Sequence, residues 1–460
     1  MTDQLIWARQ ALTPGGWQSD VLVTVSTGGH IRAVTPGAAP AGKRVGVLLP
    51  APANLHSHAF QRAMAGLTER RGPDAGNSGP ADSFWTWRRL MYRFLDQLTP
   101  NDVEAITAFV QMEMLEAGFG ASVEFHYLHH QADGAPYGDL GEMCARVAAA
   151  AGISGIGLTL LPVLYQQGGC DGRALGPGQI RFGNDVGRFA RLHDAAARSV
   201  STLPDDCRLG VAPHSLRAVS PAGLAAAAAL GDGPIHMHLA EQCAEVEEVE
   251  QAYGLRPTEW LLENAAVDAR WCLIHCTQMV PHETEALAAT QAVAGLCPIT
   301  ESSLGDGIFD GKRYLEAGGR IGIGSDSNIR ISLSDELRTL EYSQRLRDRS
   351  RVVLAGTDAS TGRRIYEAAA HGGALAAGRD AGAIRTGALA DLTALDSTDV
   401  NMIGRRGDTA LDSYIFAGDD RLVSDVWSAG RHLVSNGRHR SHDQIEQAYR
   451  QTITRLKDVT

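Results

Sequence analysis

No stretch of this 460-residue chain approaches the roughly 18 consecutive apolar residues that a membrane span requires. Its opening, MTDQLIWARQ, lacks the basic start and apolar run of a secretory leader. Cysteine is sparse: there are seven, an odd number, with no C-x-x-C pair and Cys272 to Cys276 as the tightest spacing. That pattern excludes a disulfide scaffold and is expected of reduced, buried cysteines in a cytoplasmic protein. Positive charge is in deficit, with 42 Lys+Arg against 53 Asp+Glu and a net charge of -11. Such a chain has no overall field to draw in nucleic acid or an anionic membrane, and an anionic substrate would need a locally basic pocket. No internal repeat or low-complexity tract stands out apart from Gly/Pro-rich residues 71–81, which read as a surface loop. What remains is ordinary globular composition, 44% hydrophobic and 21% charged, with ample length for a large core.

Short apolar runs alternate with helical stretches through most of the chain. The first is VGVLLPAPANLHSH (45–58), followed by ASVEFHYLHH (121–130), GIGLTLLPVLY (155–165) and RLGVAPHSL (208–216). PIHMHLA (234–240), RWCLIHC (270–276), AVAGLCPIT (292–300) and RIGIGSDS (320–327) complete a set of eight. Eight βα units predict an α/β fold, a closed (β/α)8 barrel of the TIM type. Before and after them the sequence turns to alternating, Gly-punctuated segments, predicting one small flanking β-sandwich built from both chain ends. The expected division is residues 1–49 with 385–440 for this β domain, 50–384 for the barrel, and 441–460 for a C-terminal helix. In that tail Ile445, Tyr449, Ile453 and Leu456 recur at helical spacing.

Polar residues close nearly every apolar run, at the barrel end where active sites sit. His56 and His58 flank Ser57, and on a strand the i and i+2 side chains share a face, so both imidazoles can reach one ion. His238 ends the fifth run; His236 also points inward but one layer deeper, which favours His238 as a ligand. His275 ends the sixth run and Asp326 the eighth. Imidazoles and a carboxylate converging on one face suit a borderline divalent ion, zinc first, with iron or manganese as alternatives. The bland reading is a set of unrelated core and surface residues, and five matching residues at four strand ends weigh against it. Glu241, three residues after His238, reads both as a helix-start acid stabilised by the dipole and as a proton shuttle beside the metal. No carboxylated-lysine motif is visible to bridge a second metal.

H-S-H after the first strand, H-L-A-E after the fifth, a lone His after the sixth and S-D after the eighth resemble the cytosine/adenosine-deaminase-like branch of the amidohydrolase superfamily, over nearly the whole chain. The resemblance implies one divalent ion per chain held by His56, His58, His238 and Asp326, with Glu241, His275 and Asp326 catalytic. A narrower resemblance is carried by NLHSHAFQRAMAGL, DSFWTWRRLMYR, EFHYLHH, HSLRAV and LGDGIF, which look like the formimidoylglutamate deiminases of bacterial histidine degradation. It implies hydrolysis of a linear anionic amidine in a cytoplasmic homodimer, with Gln61, Arg88, Tyr127, His214 and Arg217 lining the substrate pocket. Of the adjacent Arg88 and Arg89, one is expected to face solvent, and Trp85 and Trp87 to be core. The alternatives are another aminohydrolase acting on a guanidine, purine or S-adenosylhomocysteine-like substrate, or a silent metal-binding scaffold. Neutral or cationic substrates would not call for two arginines, and a purely structural site needs neither Glu241 nor His275.

Overall fold

The computed structural model describes residues 2–69 and 91–457, so Trp85, Trp87, Arg88, Arg89 and the 71–81 segment lie outside the described residues. The chain opens with β1 (Gln4–Thr13), β2 (Gly16–Val25), β3 (Ile31–Thr35) and β4 (Lys43–Pro50). It closes with β14 (Leu392–Leu395), β15 (Val423–Ser428), β16 (Arg431–Ser435) and β17 (Arg438–His439). The flanking layer expected as a sandwich is hydrogen-bonded as one continuous sheet of eight strands, in the order β17-β16-β15-β14-β4-β1-β2-β3. The two chain ends join where β4 runs antiparallel to β14, Leu392 opposite Pro50. Val21, Val23 and Val25 of β2 alternate inward, as period two requires, and pack with Ile6, Ile31, Leu48 and Trp427 in a separate small core.

The barrel strands are β5 (Ala53–Ser57), β6 (Ala121–His126), β7 (Gly157–Leu164), β8 (Arg208–Leu209), β9 (Ala212–Pro213), β10 (Ile235–Leu239), β11 (Trp271–His275), β12 (Val293–Leu296) and β13 (Arg320–Ile323). They form two parallel arcs, β5-β6-β7-β8 with β9 beside β7, and β10-β11-β12-β13. Parallel bridges from Ser57 to Asp326 and from Val211 to Ile235 close the ring. All eight apolar runs contribute to it, the fourth as the broken pair β8 and β9. The first run differs from expectation in one respect: residues 45–58 are two strands in two sheets. Pro50 and Pro52 bracket the break, because proline offers no backbone donor to continue a ladder. Buried Leu55, Val123, Leu160, Met237, Leu273 and Ile323 belong to the main core.

A buried ion cluster fastens barrel to sheet. Arg379 pairs with Asp391 at 2.9 Å and with Asp206 at 3.0 Å, and Arg431 reaches Asp206 at 2.6 Å. Gly157 makes room for it, since a Cβ there would stand 2.4 Å from Arg379 Nη1. The tail forms the helix His442–Leu456, with Ile445 and Leu456 buried. Of the seven cysteines, all free, Cys243 is exposed and Cys170 half-buried, which corrects the expectation that all are buried. Among the described residues no helix is long and apolar enough to cross a membrane.

Candidate metal centre and substrate pocket

The site begins with backbone bonds between the first and last barrel strands. Ser325 and Asp326 donate their N–H groups to the His56 carbonyl at 3.1 and 2.9 Å, and His58 donates to the Asp326 carbonyl at 2.9 Å. Asn54 Nδ2 donates to Ser325 Oγ at 2.7 Å, and Asn328 Nδ2 to Ser57 Oγ at 3.1 Å. These bonds hold Asp326 and Asn328 in left-handed backbone, φ 46° and 54°, and Ala240, His275 and Cys276 at neighbouring strand ends also have positive φ. Such conformations persist in non-glycine residues only where the surroundings over-determine them, and they gather at functional sites.

His56, His58, His238 and Asp326 each bring one donor atom into a group whose members lie within 4.8 Å of one another, all four side chains buried. Asp326 Oδ1 stands 3.5 Å from His56 Nε2 and 3.3 Å from His58 Nε2. His58 Nδ1 lies 3.0 Å from the Phe125 carbonyl and His238 Nδ1 3.1 Å from the His214 carbonyl. Each such contact needs a proton on Nδ1, which leaves a lone pair on Nε2. His56 has no hydrogen-bond partner on either nitrogen although it is fully buried. Burial and the neighbouring imidazoles hold His56 and His238 well below the ordinary histidine value, and burial lowers His58 despite Asp326. Neutral imidazoles, a carboxylate and orphaned buried nitrogens fit a divalent ion.

His275 stands across from this group. Its Nδ1 is 3.3 Å from Glu301 Oε1, and its Nε2 is 3.8 Å from both Glu241 Oε1 and Asp326 Oδ2. Burial opposes its charging, but Glu241, the Glu301 hydrogen bond and Asp326 outweigh burial and push His275 up to about 10. Glu241 precedes the helix Cys243–Tyr253 and donates its backbone N–H to Glu245 Oε2 at 2.9 Å. Burial raises the Glu241 carboxyl, and Glu245 and Asp326 reinforce the shift. Asp306 is raised to about 9 by burial and by the nearby Glu241 charge.

Above these groups lies a pocket of about 580 Å3, its open mouth included, lined by Gln61, Tyr127, His214 and Arg217 and reaching His58, His238, Glu241, His275 and Asp326. Gln61 Nε2 donates to the Tyr127 hydroxyl at 2.8 Å. Thus four of the five residues expected to contact substrate share one cavity, and the fifth, Arg88, lies outside the described residues. Tyr127 both packs and lines the pocket, its ring centroid 4.9 Å from that of His58. Sequence reasoning missed Glu301, Tyr165, Phe182 and Ser327. Glu301 sits in the first turn of the helix Pro298–Leu304, directly after the seventh barrel strand, and Tyr165 ends the third run; neither of these two strand ends carries an expected site residue.

The profile of the amidohydrolase family matches residues 47–433, and that of the N-terminal domain of formimidoylglutamate deiminase HutF matches residues 3–44. A formimidoylglutamate deiminase of Pseudomonas aeruginosa is 46% identical over 98% of this chain and 99% of its own. A 5-methylthioadenosine/S-adenosylhomocysteine deaminase of Natronomonas pharaonis is 28% identical over 82% of this chain and 80% of its own. Among crystal structures, an amidohydrolase from Brucella melitensis superposes with a TM-score of 0.94 at 48% identity, covering 99% of this chain and 100% of that one. An adenosine deaminase from Xanthomonas campestris with bound zinc shares the fold, with a TM-score of 0.81 at 22% identity and 99% of both chains covered.

Proposed function

The chain belongs to the amidohydrolase family and, within it, to the formimidoylglutamate deiminases, and from that premise we propose that it hydrolyses N-formimino-L-glutamate to N-formyl-L-glutamate and ammonia in histidine degradation. The observation that carries the reading to this site is the placing of Glu241 and His275 beside the His56, His58, His238 and Asp326 group, in one pocket with Arg217.

Water alone is a poor nucleophile at neutral pH. The three imidazoles and Asp326 would hold a divalent ion, zinc in our reading, and that ion would supply acidified water, since such ions can lower the pKa of bound water to about 7. The remaining work falls to side chains. Asp326 takes a proton from the attacking water. His275, braced by Glu301 at Nδ1, turns Nε2 into the gap between Glu241 and Asp326, where it steadies the group under attack. Glu241, whose carboxyl burial keeps readily protonated, delivers a proton to the departing terminal nitrogen. Attack opens the C=N double bond as the C–O bond forms. The remaining C–N bond then breaks once that nitrogen takes a second proton, the one held by Asp326, while the new hydroxyl gives its proton back to Glu241, so =NH is replaced by =O and ammonia leaves with both hydrogens of the water. Arg217 and Arg88 take the two substrate carboxylates, Gln61 and Tyr127 border the amidine end, and His214 closes the wall beside His238.

Product identity tests this arrangement. Proton delivery to the terminal nitrogen yields N-formylglutamate and ammonia; delivery to the other nitrogen yields formamide and glutamate. Finding the second pair would overturn the role given to Glu241. The proposal includes a cytoplasmic setting, supported by seven free cysteines, and a homodimer, which light scattering in solution checks.

A further inference from the structure

On the outer side of the barrel wall a second group of donor atoms meets. Phe125 faces into the barrel, its ring centroid 5.0 Å from His56 and 4.6 Å from His238. Strand alternation therefore turns His126, the next residue of β6, outward to the helix layer. There it meets His129, from the loop that follows β6, with ring centroids 5.3 Å apart. Cys144, in the first turn of the helix Glu142–Ser154, completes the group, and one donor atom from each residue lies within 4.8 Å of the others. His126 and His129 are 1% exposed and Cys144 is 0% exposed.

Their hydrogen bonding is unfinished in a particular way. His129 Nε2 lies 3.0 Å from the Val163 carbonyl, while its Nδ1 has no partner. His126 engages the Leu128 backbone, while its Nε2 has no partner. Each ring thus has one nitrogen fixed by backbone and one buried nitrogen with nothing to bind, the arrangement that orients metal-ligating histidines. Burial, foremost, keeps both rings neutral, with His126 lowered to about 3. Cys144 does not complete the account as an ordinary thiol. Burial pushes it up to about 12, so it holds one proton, and one S–H cannot satisfy two imidazole nitrogens.

We propose that His126, His129 and Cys144 form a second metal-binding site, separate from the catalytic centre, for one thiophilic cation of the zinc or cuprous class. Thiolate with imidazole selects such soft or borderline ions, and three protein donors away from water suit an ion that accepts low coordination. Binding forms one metal–sulfur and two metal–nitrogen bonds and releases the Cys144 thiol proton to solvent. The ion would clamp the segment that carries Tyr127 into the substrate pocket against the helix Glu142–Ser154. It has a structural role, and no step of the hydrolysis passes through it.

The test compares wild type with Cys144→Ser after loading with Zn2+, with Cu+ under reducing anaerobic conditions, and with Co2+ as an optical probe. The catalytic donors include no sulfur, so a thiolate-to-cobalt charge-transfer band in the near ultraviolet reports the second site. Wild type is expected to take up one more zinc or cuprous ion per chain than Cys144→Ser, and to show the cobalt band. Cys144→Ser should lose the band while keeping the catalytic ion; Cys297→Ser, which removes the buried thiol whose sulfur lies within 4.8 Å of donor atoms of His275 and Asp326, should keep the band. Equal metal content in wild type and Cys144→Ser with all three ions overturns the proposal, as does a band that survives in Cys144→Ser. Should Cys144→Ser fail to fold, the stoichiometry of wild type decides. Two ions per chain at saturating zinc or cuprous ion support the site, and one ion with each overturns it.

Discussion

His58 and Asp326 hold each other twice: the His58 backbone N–H donates to the Asp326 carbonyl at 2.9 Å, and His58 Nε2 stands 3.3 Å from Asp326 Oδ1. The first and eighth barrel strands are therefore tied at the point where their side chains converge. Donor atoms fixed in this way need little rearrangement to take up an ion, which is how a rigid scaffold keeps a catalytic constellation in register.

Removing one donor should empty the centre. His56→Ala and His238→Ala are each expected to lose one divalent ion per chain relative to wild type, with ammonia release falling to background. Elemental analysis of the purified variants checks this. Full retention of the ion in both would mean that the four-residue group is not its site.

Glu241→Gln should separate metal binding from proton transfer. The variant is expected to keep its ion and lose turnover by roughly 10²–10⁴-fold, the usual contribution of a positioned acid–base group. Normal kcat in this variant would reduce Glu241 to a residue that merely precedes the helix Cys243–Tyr253.

The substrate's two carboxylates should expose the arginines. Arg217→Met and Arg88→Met are each expected to retain metal and fold but lose kcat/KM, by about 2–5 kcal/mol in transition-state binding for a buried charge pair. Formiminoaspartate, one methylene shorter, should be slower with wild type because it cannot span both guanidinium groups in the same pose. Wild-type efficiency in both variants would dismiss the two-clamp pocket.

Much of this site could be read from the chain because strands present side chains with period two and barrels gather strand ends on one face. His56, His58, His238, His275 and Asp326 each stand at the end of an apolar run, and spacing alone places them. Glu301 and Asp306 leave no such mark: they reach His275 and Gln242 across 26 and 64 residues of chain, through loops whose path only folding decides. The Cys144 partnership with His126 is likewise invisible in sequence, because a helix and a strand share no common period. The 45–58 run misleads for a local reason, since two buried strands separated by a short break have the same apolar pattern as one. Arg379, within a stretch read as barrel, gives no sign that it is the buried tie to Asp206 and Asp391.

That tie predicts an acid limit to stability. Burial works against ionising Asp206, but Arg431 and Arg379 outweigh it and hold its carboxyl below the ordinary aspartate value. A depressed folded-state pKa contributes stability above the unfolded value near 3.9, and this contribution drains away as pH falls through the lower folded value. Thermal melts from pH 6 downward should therefore show a drop in Tm below about pH 4 that is smaller in Asp206→Asn. At neutral pH that variant should be destabilised, by up to the ~3–5 kcal/mol typical of breaking a buried ion pair. An unchanged neutral-pH Tm would mean that the cluster contributes nothing to holding barrel and sheet together.

On the proposed function, this pocket is built for a linear amidine dianion. Ammonia release by the metal-loaded enzyme, measured in one series against formiminoglutamate, formiminoaspartate, formiminoglycine and a purine panel, tests it most directly. The predicted result is highest kcat/KM for formiminoglutamate, lower values for its two shorter analogues, and no turnover of purines. Preference for adenosine or another neutral purine would contradict the account, leaving a metal-dependent hydrolase whose substrate had been misassigned.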